Sequence, residues 1–192
     1  AALTPVMFPS YAEIQEDRMR LRRAYLRVVN ATALLTFPVL VGLAVSAEYV
    51  MTGLYGENWG PASGALRILS FAGMLKVIFH LSGPVAQATG QVFAEVRRQC
   101  VYFVILIIGC LALVPYGIEA VAGAVVLGSL WLYLSMAELT NRILGCSWSE
   151  FFGAQVPGVV ISGMVVLAQL LVICVAQWWE PLAPPLMLAV LV

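Results

Sequence analysis

The sequence predicts an all-α protein, a polytopic transmembrane helical bundle, and three observations carry that prediction. Hydrophobic residues make up 62% of the chain and charged residues 10%, with a mean hydropathy of +0.96. A soluble globular domain covers its surface with roughly one-quarter charged residues, so a soluble bundle is excluded on composition. The apolar runs are of spanning length, and at about 20 residues per crossing the chain has room for six or so spans. Finally, the basic residues are segregated: eight of the ten fall in segments on one side of the alternating apolar runs and none in the loops on the other side.

The segregation starts in Glu13–Arg27, which holds Arg18, Arg20, Arg22, Arg23 and Arg27. At about 100° per residue Ile14, Leu21, Tyr25 and Val28 share a narrow arc, which predicts an amphipathic helix at a membrane surface. Arginines directly before an apolar run mark the cytoplasmic side. The expected organisation is therefore the end of a truncated transmembrane helix over 1–12, a cytoplasmic amphipathic helix over 13–30, and a transmembrane bundle over 31–192 with about five complete spans and a truncated sixth.

The first complete span, Val28 to Tyr49, contains Pro38, which removes a backbone donor and predicts a kink near its middle. LYGENWGPAS, Leu54 to Ser63, is a turn-rich outer loop with Trp59 as an interfacial anchor and Glu57 as its only charge. The span from about Ala62 to Ala88 returns to Arg97 and Arg98 inside. A third runs from about Gln99 to Val114 and turns at PYGIE. The fourth, Ala120 to about Leu139, carries Ala124 and Gly128 at a small-xxx-small spacing that permits close helix contact. Arg142 follows on the inner side, with Glu138 placed i, i+4 to it. Ser147 and Glu150 have capping-box spacing, so the fifth span starts at Trp148. It extends to Gln177 with Gly158 and Ser162 as a second small pair, and ends at an aromatic belt, Trp178 and Trp179, with Glu180 outside. From Leu182 a sixth span begins, and the chain stops within LMLAVLV, which reads as a fragment. Cys100, Cys110, Cys146 and Cys174 show no paired spacing, so neither a disulfide framework nor a metal site is indicated.

Two basic residues fall inside the span after the LYGENW loop. Arg67 lies less than two turns from the outer boundary and can snorkel to the headgroups. Lys76 sits near the bilayer centre, where an unpaired cation costs about 3 kcal/mol on insertion scales. On a helical wheel Gly73, Lys76, His80, Gly83 and Gln87 share one arc, a polar and small stripe suited to line a hydrated cavity. The candidate substrate-binding residues are Lys76, His80, Gly73, Gln87 and Arg67. A structural ion pair of Lys76, and a neutral His80 bonded to a neighbouring helix, are the alternatives.

VMFPSYAEIQEDRMRLRRAYLRV, FPVLVGLAV, LYGENW, RILSFAGML, SGPVAQATGQ and YGIEAVAGAVV, in this order, resemble the C-terminal half of the bacterial polysaccharide transporters. These are the lipid-linked oligosaccharide (O-antigen, exopolysaccharide and capsule) flippases of the MATE-like exporter superfamily. The resemblance implies about fourteen helices in two bundles, with this chain holding the end of the eighth and the ninth to the fourteenth. It also implies a bacterial inner (cytoplasmic) membrane protein that is no enzyme and needs no cofactor. Its expected partners are the lipid bilayer, an undecaprenyl-diphosphate-linked oligosaccharide and an N-terminal bundle of the same protein, with no nucleic acid. Lys76 and His80 match no family motif and rest on the physical argument. Alternating access of two bundles about a cationic cavity is the mechanism that residues and resemblance suggest together.

Two other classes are weighed against it. A drug exporter of the same superfamily calls for an acidic residue deep in the cavity, where this chain has a lysine. A polymerase or ligase acting on lipid-linked sugars calls for acid-base residues in a sizeable outer loop, and the short outer loops offer only Glu57, Glu119 and Glu180.

The one-sided arginines generate a topology prediction. In the full-length protein, single cysteines at Asn58 and Pro115 react with an impermeant thiol reagent added outside, and one at Gln91 does not; the reverse labelling pattern overturns the orientation.

Overall fold

The computed structural model describes residues 17–179, with side chains described to residue 175. The expected end of a helix over 1–12, the start of the 13–30 segment, the sixth span and the Trp178–Trp179 belt side chains lie outside these. Five helical segments are long and apolar enough to cross a membrane, and among the described residues there is no strand. The chain is thus an all-α, multi-pass membrane protein.

Helix α1 runs Arg18–Val45 as one element. Its start is set by Asp17, whose carboxylate accepts the backbone N–H of Arg20 at 3.0 Å, satisfying one of the donors that a helix start leaves free. The boundary expected at residue 30 is a change of composition without a break in the backbone. A stripe at every fourth residue, Leu21, Tyr25, Val29, Ala33 and Phe37, is buried along both parts, so the arginine-rich turns pack into the bundle as the beginning of the first span. Helix assignment also continues through Pro38, and the break comes at Ser46, whose hydroxyl donates to Gly42 O at 2.7 Å. There a hydroxyl competes for a carbonyl of the last turn.

After the break, α2 (Ala47–Tyr55) and a 3₁₀ segment (Glu57–Ala62) form the outer loop. The expected span to Ala88 is divided into α3 (Ser63–His80) and α4 (Ser82–Ala88) by a turn at Leu81. Pro84 accounts for the division, since it has no N–H for the His80 carbonyl. Helix α5 (Val92–Leu113) takes Arg97 and Arg98 into its first turns. A 3₁₀ turn and Gly117 at φ +94° lead into α6 (Ile118–Leu144), which stops at Gly145 in the left-handed region, φ +66°. There a side chain would be strained and glycine is not.

The expected capping box is present. The Ser147 hydroxyl accepts from Glu150 N, the Glu150 carboxylate accepts from Ser147 N at 2.9 Å, and α7 begins at Trp148. The fifth span is again two helices, α7 (Trp148–Gly153) and α8 (Val156–Trp179). They divide one residue before α8 receives Pro157, whose ring would collide with the carbonyl four residues back.

Each spanning segment packs chiefly on its neighbours in the order α8, α1, α3, α6, α5, an open row of helices. Between helices in lipid there is no hydrophobic drive, so small residues and polar contacts hold them. Ala124 and Gly128 of α6 behave as their spacing predicts: an added Cβ on Gly109 would meet Ala124 Cβ at 3.2 Å, and one on Gly128 would meet the Tyr102 ring at 3.3 Å. On the other side of the row, Asn30 donates to Ala154 O at 2.9 Å and Gln169 to Gly42 O at 3.3 Å, while a Cβ on Gly158 would stand 2.6 Å from Ala33 O.

A backbone carbonyl cannot retreat as a side chain can. Gly158→Val therefore separates α8 from α1 at a cost of about 1–3 kcal/mol or more, read as a lower melting temperature of the detergent-solubilised protein. Gly163→Ala, whose Cβ meets nothing within 4 Å, does not lower the melting temperature, since alanine also favours the helix over glycine.

Candidate functional site

Of the five residues of the expected stripe, Gly73, Lys76 and His80 lie on α3 and Gly83 and Gln87 on α4. Lys76 is half-buried and has no hydrogen bond or ion pair among the described residues, and His80 is exposed with its ring 4.5 Å from that of Phe79. At Gly73 a Cβ would lie 3.4 Å from Leu40 of α1, so this partly exposed glycine also seats a leucine and lets α1 approach α3. Gln87 is exposed, lies on α4 beyond the turn at Leu81, and lines a cleft at the inner end.

Arg67 has a helix-end partner. Its Nε donates to Ala44 O at 3.2 Å, a carbonyl in the last turn of α1. Such carbonyls lack helical donors, and a cation also complements the negative end of the helix dipole. Arg67 therefore fastens the outer end of α1 to α3 while its side chain remains exposed. Near the same end Glu119 lies against Gly64, with its Oε1 where a Cβ would be.

At the inner end the turn after α4 and the ends of α1, α5 and α6 enclose a cleft of about 960 Å³. Arg18, Arg97, Arg98 and Arg142 line it together with Gln87 and Gln91. Sequence spacing read these arginines as separate topology markers in three loops; the fold brings them to one place. Arg98 is fixed by two carbonyls, Nε to Ser135 O and one terminal nitrogen to Ala94 O, both 3.1 Å. Arg142 pairs with Glu138 as the i, i+4 spacing predicts. Arg18 and Arg97 are exposed and have no partner among the described residues.

One buried carboxylate escaped the sequence reading. Glu95, 7% exposed, accepts from Gln99 Nε2 at 3.1 Å and lies 3.4 Å from Gln87 Nε2. A Cβ on Gly83 would sit 2.9 Å from its Oε1. The signal was present in Glu95 and Gln99 at i, i+4 and in Gly83 and Gln87 at the same spacing, two patterns that only a tertiary contact relates.

Close to the cleft, Arg22 pairs with the capping-box carboxylate of Glu150, joining α1 to α7. Cys146 is beside this pair. Burial pushes its thiol above the ordinary range while the Arg22 charge pulls the other way, which describes an inert thiol. Among the described residues no cluster of His, Cys, Asp and Glu could hold a metal ion.

Residues 1–64 match the family described as polysaccharide biosynthesis protein. The chain is 28% identical over 183 residues to the lipopolysaccharide biosynthesis protein WzxC of Escherichia coli (strain K12), covering 88% of this chain and 37% of that protein. It is 32% identical over 89 residues to the teichuronic acid biosynthesis protein TuaB of Bacillus subtilis (strain 168), covering 46% and 18%. With the succinoglycan biosynthesis transport protein ExoT of Rhizobium meliloti (strain 1021) it shares 27% over 184 residues, covering 93% and 35%. The chain thus spans little more than a third of the length of these curated relatives at most. No solved structure matches it.

Proposed function

From its similarity to curated polysaccharide biosynthesis and transport proteins, we propose that the chain belongs to a polysaccharide transporter family and is the C-terminal bundle of a flippase in the bacterial inner membrane. The cargo is an undecaprenyl-diphosphate-linked oligosaccharide repeat unit, moved from the cytoplasmic to the periplasmic leaflet for polysaccharide biosynthesis. The observation that carries this reading is Lys76. It stands unpaired among the described residues on α3, the middle helix of an open row. A cation in that position costs about 3 kcal/mol if it meets lipid, and far less if it faces water and a diphosphate.

The row supplies one wall of a passage, and an N-terminal bundle supplies the other. Rocking of the two walls exposes the passage to each side in turn. The glycan crosses in water, the Lys76 ammonium offsets the diphosphate charge, and the lipid tail stays in the bilayer. No bond is made or broken, so the activity is transport and not catalysis. His80, one turn inward, adds a polar group to the same face.

Liposomes holding the full-length protein and a fluorescent lipid-linked oligosaccharide test the assignment. Lys76→Ala lowers the flipping rate about tenfold or more with insertion intact, since loss of an unpaired intramembrane charge eases insertion. Lys76→Arg retains part of the rate because the charge persists. Arg67→Ala, which removes a helix-end hydrogen bond, lowers thermal stability by about 1 kcal/mol and changes flipping less than Lys76→Ala. Wild-type flipping by Lys76→Ala removes the lysine face from the substrate path.

A further inference from the structure

We propose that the inner cleft is a second, separate anion site, which holds a phosphate or diphosphate group at the cytoplasmic surface. The argument is one of charge, shape and unused donors. Four guanidinium groups from three helices line one cleft, and of the carboxylates around it Glu138 is already paired with Arg142. Among the described residues Glu95 is buried behind Gln87 and Gln99, and Asp17, beside Arg18, caps α1 by accepting from Arg20 N. The net charge left over is positive.

The two arginines with no partner among the described residues, Arg18 and Arg97, present planar forks suited to bidentate phosphate oxygens. Arg98 cannot swing away, because its Nε and one terminal nitrogen are tied to Ser135 O and Ala94 O; a pre-set donor loses little freedom on binding. The floor of the cleft includes Gly90 and Gln91, directly before the 22-residue helix α5. The positive dipole end of that helix thus lies at the cleft and adds to the arginines. At about 960 Å³ the cleft accommodates a diphosphate and its first sugar, or a phospholipid headgroup. The inference rests on the proposed transport only for which of these it holds in the cell; the site itself is measured without transport.

The test is a titration of the full-length protein with inorganic pyrophosphate, in nanodiscs of phosphatidylcholine alone and in nanodiscs containing phosphatidylglycerol. Native mass spectrometry of the same samples counts retained lipid. Arg18→Gln and Arg97→Gln, both at exposed side chains without partners among the described residues, leave folding unchanged. Arg23→Gln, on a different face of α1, is the control for general surface charge.

In phosphatidylcholine the wild type binds pyrophosphate, and each cleft variant weakens it about tenfold, the loss of one charge-assisted contact, while Arg23→Gln does not. If phosphatidylglycerol abolishes pyrophosphate binding and is retained by the wild type but not by the cleft variants, the occupant is a lipid headgroup at the same site. Undiminished pyrophosphate binding with phosphatidylglycerol present assigns the cleft to a diphosphate. Absence of binding in both discs, or an equal loss with Arg23→Gln, overturns the site, and neither result bears on the flipping rate of Lys76→Ala.

Discussion

The cost of placing a cation in hydrocarbon governs the whole chain. At about 3 kcal/mol each on insertion scales, ten basic residues could not be scattered through five spans of a marginally stable protein. Eight are accordingly found in the segments on one side. That requirement sets the direction of every helix, and by crowding the inner ends with arginine it creates the cleft between them. Two residues break the rule, and the structure treats them differently. Arg67 is given the free carbonyl of Ala44, which a helix end must satisfy somehow. Lys76 receives nothing among the described residues, and the proposed passage rests on that unpaired charge.

A second constraint shapes the seam between α1 and α8. Lipid is as apolar as leucine, so the two helices gain little from apolar contact alone. Their attachment is instead made of discrete points that advance together along both helices: Arg22 with Glu150, Asn30 with Ala154, Ala33 under Gly158, and Gly42 with Gln169. The order shows that the helices run parallel, both starting at the inner end. Because the points come from a capping-box carboxylate, an amide, a missing side chain and a second amide, no single hydrophobic pattern announces them. The division at Ala154–Gln155 also has a use, since it leaves Ala154 O free to accept Asn30.

What was legible in the sequence was local. Spans, the Ser147–Glu150 box, the Glu138–Arg142 pair and the small pairs at Ala124–Gly128 and Gly158–Ser162 depend on residues within one turn or one run of chain. Their physical cause is complete in the sequence itself. The break at Leu81 was half legible, since Pro84 was visible but the choice between a kink and a turn depends on who satisfies the His80 carbonyl. Treating Gly73 to Gln87 as one wheel assumed an unbroken helix, whereas Gly83 and Gln87 lie on α4, beyond the turn at Leu81. Leu40 filling the space at Gly73, Ala44 O meeting Arg67, and Glu95 packed on Gly83 all require knowing which helix lies beside which.

The turn at Leu81 has a further consequence for the proposed transport. Eleven residues separate Lys76 from Gln87, and at 1.5 Å per residue their Cα atoms are at most about 16 Å apart along a straight helix. Between the two lie Ser82 to Ala86, all buried, with Ser82 bonded to Tyr25 at 3.1 Å. A packed layer therefore separates an arginine-lined inner station from a lysine further into the span. An anion passing from one to the other has to leave the cleft and re-enter along the open face of α3. That detour is what a moving second bundle would supply, and it explains why the cation in the membrane and the cations at the surface are kept on opposite sides of a turn.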